Sequence, residues 1–168
     1  MFNIVGCNHG IQVGTGGFAD FDNVDQNEQR THFRQMLEDI CDEAEIHLVL
    51  EENGGPEEMA AKQIADKRGI PWYDVNTTNE DKDRLGIPHD YVNGNYSDEQ
   101  RSEWHRQREQ IMVQKIKHHA QECESVLIVC GFYHMFPIAE LLEQDGVAVQ
   151  QIDYRERAWH RAGIFCEG

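Results

Sequence analysis

The sequence predicts an α/β fold, a three-layer sandwich in which a mainly parallel sheet of about five strands is covered by helices on both faces. Apolar runs of strand length alternate along the chain with segments whose apolar residues recur at helical spacing. Two strand–helix units follow each other in the first half, which implies right-handed crossovers and parallel strands. The 168 residues show no internal shift in composition, so residues 1–168 are predicted to form a single domain.

The first half of the chain predicts three strands and two helices. The run Ile46–Leu50 is almost continuously apolar, as is typical of a buried strand in a parallel sheet. Before it, apolar residues recur at helical spacing from Phe33 to Ala44, and after it Pro56 suits the start of a second helix. The predicted elements are a strand over 1–7, a Gly- and Asp-rich loop over 8–27, a helix over 28–45, a strand over 46–50, a helix over 57–67 and a strand over 71–75.

The second half begins with residues 76–98, where the apolar periodicity fails and charged, Gly and Pro residues replace it. We predict a long loop or lid for this segment. Ser97-Asp98 then supplies a helix cap, and Ser125–Cys130 is strongly β-prone. The predicted elements are a helix over 99–122, a strand over 125–130, a helix over 134–144, a strand over 147–152 and a basic tail from 153 onward.

The net charge and the cysteine content limit which partners and which cellular compartment are expected. Fifteen basic against 31 acidic residues give a net charge of −16, which repels a phosphate backbone, so nucleic acid is excluded as a default partner. No apolar stretch approaches transmembrane length and no signal-like segment opens the chain, so we expect neither membrane spanning nor export. The five cysteines are scattered, which favours a reducing cytoplasmic setting.

A tetrapeptide pattern, Gly-x-x-His, occurs at Gly6–His9 and again at Gly131–His134, each time after a predicted strand. Each glycine is expected to adopt a backbone conformation that residues with a Cβ avoid, which turns the histidine back over the sheet. Ligands bind at the carboxyl ends of strands in an open parallel sheet. His9, His134 and Glu51, which ends the second strand, are therefore predicted to share one edge.

Two imidazoles and a carboxylate at one edge allow two chemistries. His9, Glu51 and His134 could bind one divalent metal ion such as Mn, Co or Zn and leave a position open for water, whose pKa then falls. Without a metal, either histidine could act as general base while Glu51 fixes its tautomer. Both alternatives stay open.

A second signal is Arg108-Glu109 on the predicted long helix. Both residues lie one turn from its apolar stripe, where unpaired charges are costly. Arg108 is a candidate for holding a substrate carboxylate, a phosphate or a developing oxyanion, and Glu109 for an acid, a ligand or an orienting group. The alternative is an exposed ionic ladder on a solvated helix.

These segments together resemble the superfamily of erythromycin esterases, haem-binding ChaN lipoproteins, and TraB and Tiki proteins. The resemblance rests on short motifs: Gly6–His9, Glu51 at a strand end, Arg108-Glu109-x-x-Met112, and Val126–His134 with the helix and strand that follow. It implies that the paired Gly-x-x-His motifs, the strand-end Glu and the helix Arg line one cleft. It further implies hydrolytic chemistry, metal-assisted as in Tiki proteins or metal-free as in the esterases.

The leading hypothesis is therefore a small hydrolase acting on a small-molecule or peptide substrate. The alternative is a protein that binds haem, a metal or an anionic small molecule at the same edge without turning it over. For haem, the histidines would serve as axial ligands and Tyr91, Tyr96, Trp104 and Tyr133 could wall the flat ligand. A third hypothesis is a structural or interaction protein whose histidines only satisfy local hydrogen bonds.

Overall fold

The computed structural model describes residues 1–8, 11–12, 26–52 and 59–154. Within these ranges the chain forms five strands and five helices. The strands are β1 (Phe2–Cys7), β2 (Leu48–Glu51), β3 (Trp72–Asp74), β4 (Val126–Gly131) and β5 (Val149–Asp153). The helices are α1 (Gln26–Glu43), α2 (Ala60–Arg68), α3 (Asn79–Leu85), α4 (Asp98–His119) and α5 (Phe132–Gln144).

All five strands pair in parallel, in the order β3-β2-β4-β1-β5. The central strands β4 and β1 are fully buried because helices cover both their faces. Glu51 pairs with Val129, and Cys7 pairs with Gly131, so β2, β4 and β1 end at nearly the same level. The predicted α/β fold with a parallel five-stranded sheet is confirmed.

Two apolar clusters lie on the two faces of the sheet. One contains Val49 and Val129 and packs against residues of α1 and α2. The other contains Leu50 and Ile128 and packs against residues of α4 and α5. Because successive side chains of a strand point to opposite faces, each strand contributes alternately to the two clusters.

Helix starts follow local capping chemistry. At α4 the Ser97 hydroxyl accepts the Gln100 N–H and the Gln100 side chain accepts the Ser97 N–H, which confirms the predicted cap. Helix α5 begins directly after β4, two residues earlier than predicted, so His134 lies in its first turn. None of the helices in the described ranges combines the length and apolar composition of a transmembrane span.

The segment 76–98, predicted as a long loop or lid, contains helix α3 at Asn79–Leu85. The helix buries none of its residues, which is why no apolar periodicity marks it. Its capping box, formed by Thr78 and Asp81, is readable from sequence. The segment is fixed to α4 by Lys115, whose ammonium donates to Asp81 at 2.8 Å.

Gly6 and Gly131 do not adopt the backbone conformation that the sequence predicted. Neither is among the described glycines with positive φ, and Gly131 has φ −56° and ψ 139°. At Gly6 the reason for glycine is space, because an added Cβ would lie 2.9 Å from the sulfur of Met135. The glycine therefore lets α5 pack closely on β1.

Candidate functional site

A cleft of about 730 Å³ opens at the carboxyl edge of the sheet. Its floor comes from the ends of β1 and β4, and its walls from α4 and the start of α5. Among the described residues, those lining it are Cys7, Asn8, Ser102, His105, Glu109, Gly131, Phe132, Tyr133, His134 and Tyr154. All four residues of the second Gly-x-x-His motif, Gly131–His134, line the cleft, as expected for residues that follow a parallel strand.

His134 and Glu109 form a buried pair in the cleft wall. Nδ1 of His134 lies 2.9 Å from Oε1 of Glu109, and the two side chains are 7% and 9% exposed. Glu109 reaches the ring from the middle of α4, while the first turn of α5 presents the imidazole. An ionised carboxylate accepts only, so this contact favours the tautomer with hydrogen on Nδ1.

A second carboxylate beside His134 is that of Glu52, one residue beyond the predicted strand-end residue Glu51. Oε2 of Glu52 accepts the Gly131 N–H at 2.8 Å, and Oε1 accepts from Nη2 of Arg108 at 3.1 Å. The same Oε1 lies 3.7 Å from Nε2 of His134. Glu52 therefore joins β2, the start of α5 and α4 through one side chain that is 2% exposed.

Arg108 is held by neutral and acidic partners together. Besides Glu52, its guanidinium donates to the Tyr91 hydroxyl and, at 3.3 Å, to Oδ1 of Asn76. Tyr91 is buried and also packs its ring near the guanidinium, 5.7 Å from the ring centre. The predicted exposed ladder is therefore not the arrangement of Arg108 and Glu109, because both side chains are paired at the site.

Glu51 lies on the opposite face of the sheet, with α2. Its Oε2 accepts the backbone N–H of Lys62 at 3.2 Å and the indole N–H of Trp72 at 3.0 Å. Lys62 is in the first turn of α2, whose N-cap residue Met59 makes no side-chain cap, so Glu51 supplies the missing acceptor. Burial raises the pKa of Glu51 to about 7, against the lowering effect of these hydrogen bonds.

His105 is a site residue that the sequence analysis did not single out. It lies on α4 one turn before Glu109 and lines the cleft, with its ring centre 5.7 Å from that of His134. Burial, followed by the nearby His134 and Arg108, lowers the pKa of His105. Its position four residues before Glu109 could have indicated it, because residues four apart share one helix face.

The structure thus brings together three of the five predicted site residues. Glu52 links Arg108 to the His134–Glu109 pair. Glu51 lies across the sheet, and His9 lies outside the described residues. Of the aromatic residues proposed to wall a haem, only Tyr133 lines the cleft. The others pack edge to face around Trp104, with ring centres 6.1 Å from Tyr91 and 4.9 Å from Tyr96.

Two of the predicted metal ligands, Glu51 and His134, are not brought together in the structure. The two residues lie on opposite faces of the sheet, so their side chains do not meet at one ion. Over the part of the chain that the structure describes, no group of three or more histidine, cysteine or carboxylate side chains could hold a metal ion. The divalent metal stays a prediction, and the chemistry below uses none.

Comparison with known proteins gives no relative, since no family model, curated protein or solved structure matches the chain. The resemblance to the erythromycin esterase superfamily therefore stays a prediction.

Proposed function

We propose that this protein is a hydrolase in which His134, held by Glu109, activates water against a carbonyl carbon of a small-molecule or peptide substrate. The observation that carries the proposal is the 2.9 Å contact between Nδ1 of His134 and Glu109 in the wall of an open cleft. A base oriented by a carboxylate is the arrangement that general-base hydrolysis requires.

The pairing assigns a role to each ring nitrogen of His134. With hydrogen on Nδ1 donated to Glu109, Nε2 carries the lone pair that accepts a proton from water. Oε1 of Glu52, 3.7 Å from Nε2, lies beyond hydrogen-bond distance but close enough to stabilise the imidazolium that forms. Glu109 stabilises the same cation from the other side of the ring.

Arg108 has a different role in this proposal from the one predicted for it. Its guanidinium is engaged by Glu52, Tyr91 and Asn76, and it does not line the cleft among the described residues. It balances the charge of Glu52 and fixes that carboxylate beside His134. Arg108 is therefore a positioning residue, since it acts through Glu52.

The test is hydrolysis of a panel of nitrophenyl esters of increasing acyl length and of chromogenic peptides. We expect wild-type protein to hydrolyse at least one compound, with the rate unchanged after EDTA treatment and lost in His134→Ala. The matched control is His118→Ala, because His118 is exposed at the far end of α4. An inactive wild type, or a His134→Ala variant as active as the control, would overturn the proposal.

A further inference from the structure

We propose that His105 is a second catalytic residue in this cleft, a neutral imidazole whose N–H donates a hydrogen bond to the oxyanion that forms during hydrolysis. The inference rests on the proposed hydrolase function and adds the group that stabilises the developing charge. Charge stabilisation at the oxyanion is commonly the largest single contribution to catalysis of acyl transfer.

The position of His105 is the first support. It lines the same cleft as His134, and the two rings have centres 5.7 Å apart and planes tilted by 44°. A water within reach of one ring can therefore attack a carbonyl whose oxygen is within reach of the other. His105 also packs edge to face on Tyr91, with ring centres 5.2 Å apart, which limits how far the imidazole can turn.

The different surroundings of the two histidines are the second support. His134 lies between two carboxylates, with Oε1 of Glu109 2.9 Å from Nδ1 and Oε1 of Glu52 3.7 Å from Nε2. Burial, followed by the nearby His134 and Arg108, lowers the pKa of His105 and outweighs the opposite effect of the same two carboxylates. The pair is therefore arranged so that His134 accepts the proton while His105 stays neutral and keeps one N–H to donate.

Every proton in the reaction is accounted for. The water oxygen forms a bond to the carbonyl carbon while its proton passes to Nε2 of His134, and the carbonyl oxygen becomes an oxyanion that accepts the N–H of His105. When the bond from carbon to the leaving group breaks, the leaving group takes the proton from His134. His105 begins and ends the cycle in the same protonation state.

Arg108 is the other candidate for the oxyanion, and its contacts argue against it. The guanidinium does not line the cleft among the described residues, and moving it there would disturb its contacts with Glu52, Tyr91 and Asn76. Without this cation, the buried carboxylate of Glu52 would be uncompensated, which costs several kcal/mol. His105 needs no such rearrangement because it already lines the cleft.

The test compares His105→Ala with His105→Gln on the best ester of the panel, with His118→Ala as control. Gln carries an amide N–H but does not titrate near neutral pH. We expect His105→Ala to lower kcat by about 10²- to 10³-fold with little change in KM. His105→Gln should recover part of kcat, because its amide N–H can still donate to the oxyanion.

The results that would contradict the role of His105 differ from those that would contradict the proposed function. Full activity in His105→Ala, alongside inactive His134→Ala, would overturn the inference and leave the hydrolase intact. A folded His105→Gln variant as inactive as His105→Ala would overturn the hydrogen-bonding role and make His105 a proton-transfer group instead. An inactive wild type, or active His134→Ala, would overturn the proposed function and this inference with it.

Discussion

Glu51 and Glu52 are adjacent in the sequence but belong to opposite faces of the sheet. Glu51 caps α2 through the N–H of Lys62, whereas Glu52 accepts from Arg108 and from the Gly131 N–H beside His134. Because side chains alternate along a strand, the two carboxylates point to opposite faces and make separate contacts. One is consequently a structural group, and the other belongs to the cleft network.

The Arg108–Glu52 pair predicts a large stability effect. Arg108→Met removes the cation that compensates a carboxylate only 2% exposed, so we expect the free energy of unfolding to fall by about 3–5 kcal/mol. Arg106→Met, which loses only an exposed pair with Glu103 on the same helix, should cost less than about 1 kcal/mol. Denaturant titration measures both, and equal losses would contradict the assignment.

Glu51 predicts a pH dependence of stability. Its pKa of about 7 in the folded protein lies above the ordinary value of 4.5, so between these values the folded state binds more protons than the unfolded state. The free energy of unfolding should therefore lose about 3 kcal/mol from this group as the pH rises from 4.5 to 7.

The variant Glu51→Gln keeps the acceptor for Lys62 and Trp72 and removes the titration. We expect its free energy of unfolding to fall less between pH 5 and pH 8 than that of wild type. The exposed control, Glu122→Gln, should follow the wild-type curve. Identical slopes for Glu51→Gln and wild type in denaturant titrations across this range would show that Glu51 does not titrate there.

The Glu109–His134 pair predicts a catalytic defect without loss of the fold. Glu109→Gln removes the charge that stabilises the imidazolium and the preference for hydrogen on Nδ1, so kcat/KM should fall by about 10²- to 10⁴-fold. Glu103→Gln changes an exposed acid on the same helix and should retain activity. Ester hydrolysis measures both, and comparable rates would exclude Glu109 as the orienting group.

The substitution Gly6→Ala is predicted to cause a steric clash that a second substitution, Met135→Ala, partly relieves. The Cβ of Gly6→Ala would lie 2.9 Å from the sulfur and 3.0 Å from Cβ of Met135, so we expect the free energy of unfolding to fall by about 1–3 kcal/mol. Met135→Ala removes the sulfur. Because Cβ of residue 135 remains, Gly6→Ala in that background should cost less without becoming neutral, and an equal cost in thermal or denaturant unfolding would point to a different reason for glycine.

The central strands were predictable because buried parallel strands are almost continuously apolar, as Val126–Gly131 shows. Helix α4 was predictable from the cap at Ser97 and from its apolar stripe. Helix α3 was missed because it buries no residue, so only the capping pattern of Thr78 and Asp81 was available to indicate it.

The site was partly predictable for a related reason. The motif at Gly131–His134 and the pair Arg108-Glu109 were found from their spacing, and the structure brings them together through Glu52. The choice between Glu51 and Glu52 depends on where the strand ends and on which face receives α4. Neither is encoded locally, because the packing partner of each face is set by contacts distant in sequence.

The most direct test of this account is the protonation of the two ring nitrogens of His134, read from ¹⁵N imidazole NMR at a pH where the ring is neutral. His134→Ala assigns the signals, and no substrate is needed. We predict hydrogen on Nδ1 and a free Nε2 in wild type, changing to a mixture of tautomers in Glu109→Ala. Hydrogen on Nε2 in wild type would leave no lone pair to accept a proton from water and would contradict the role of His134 as general base.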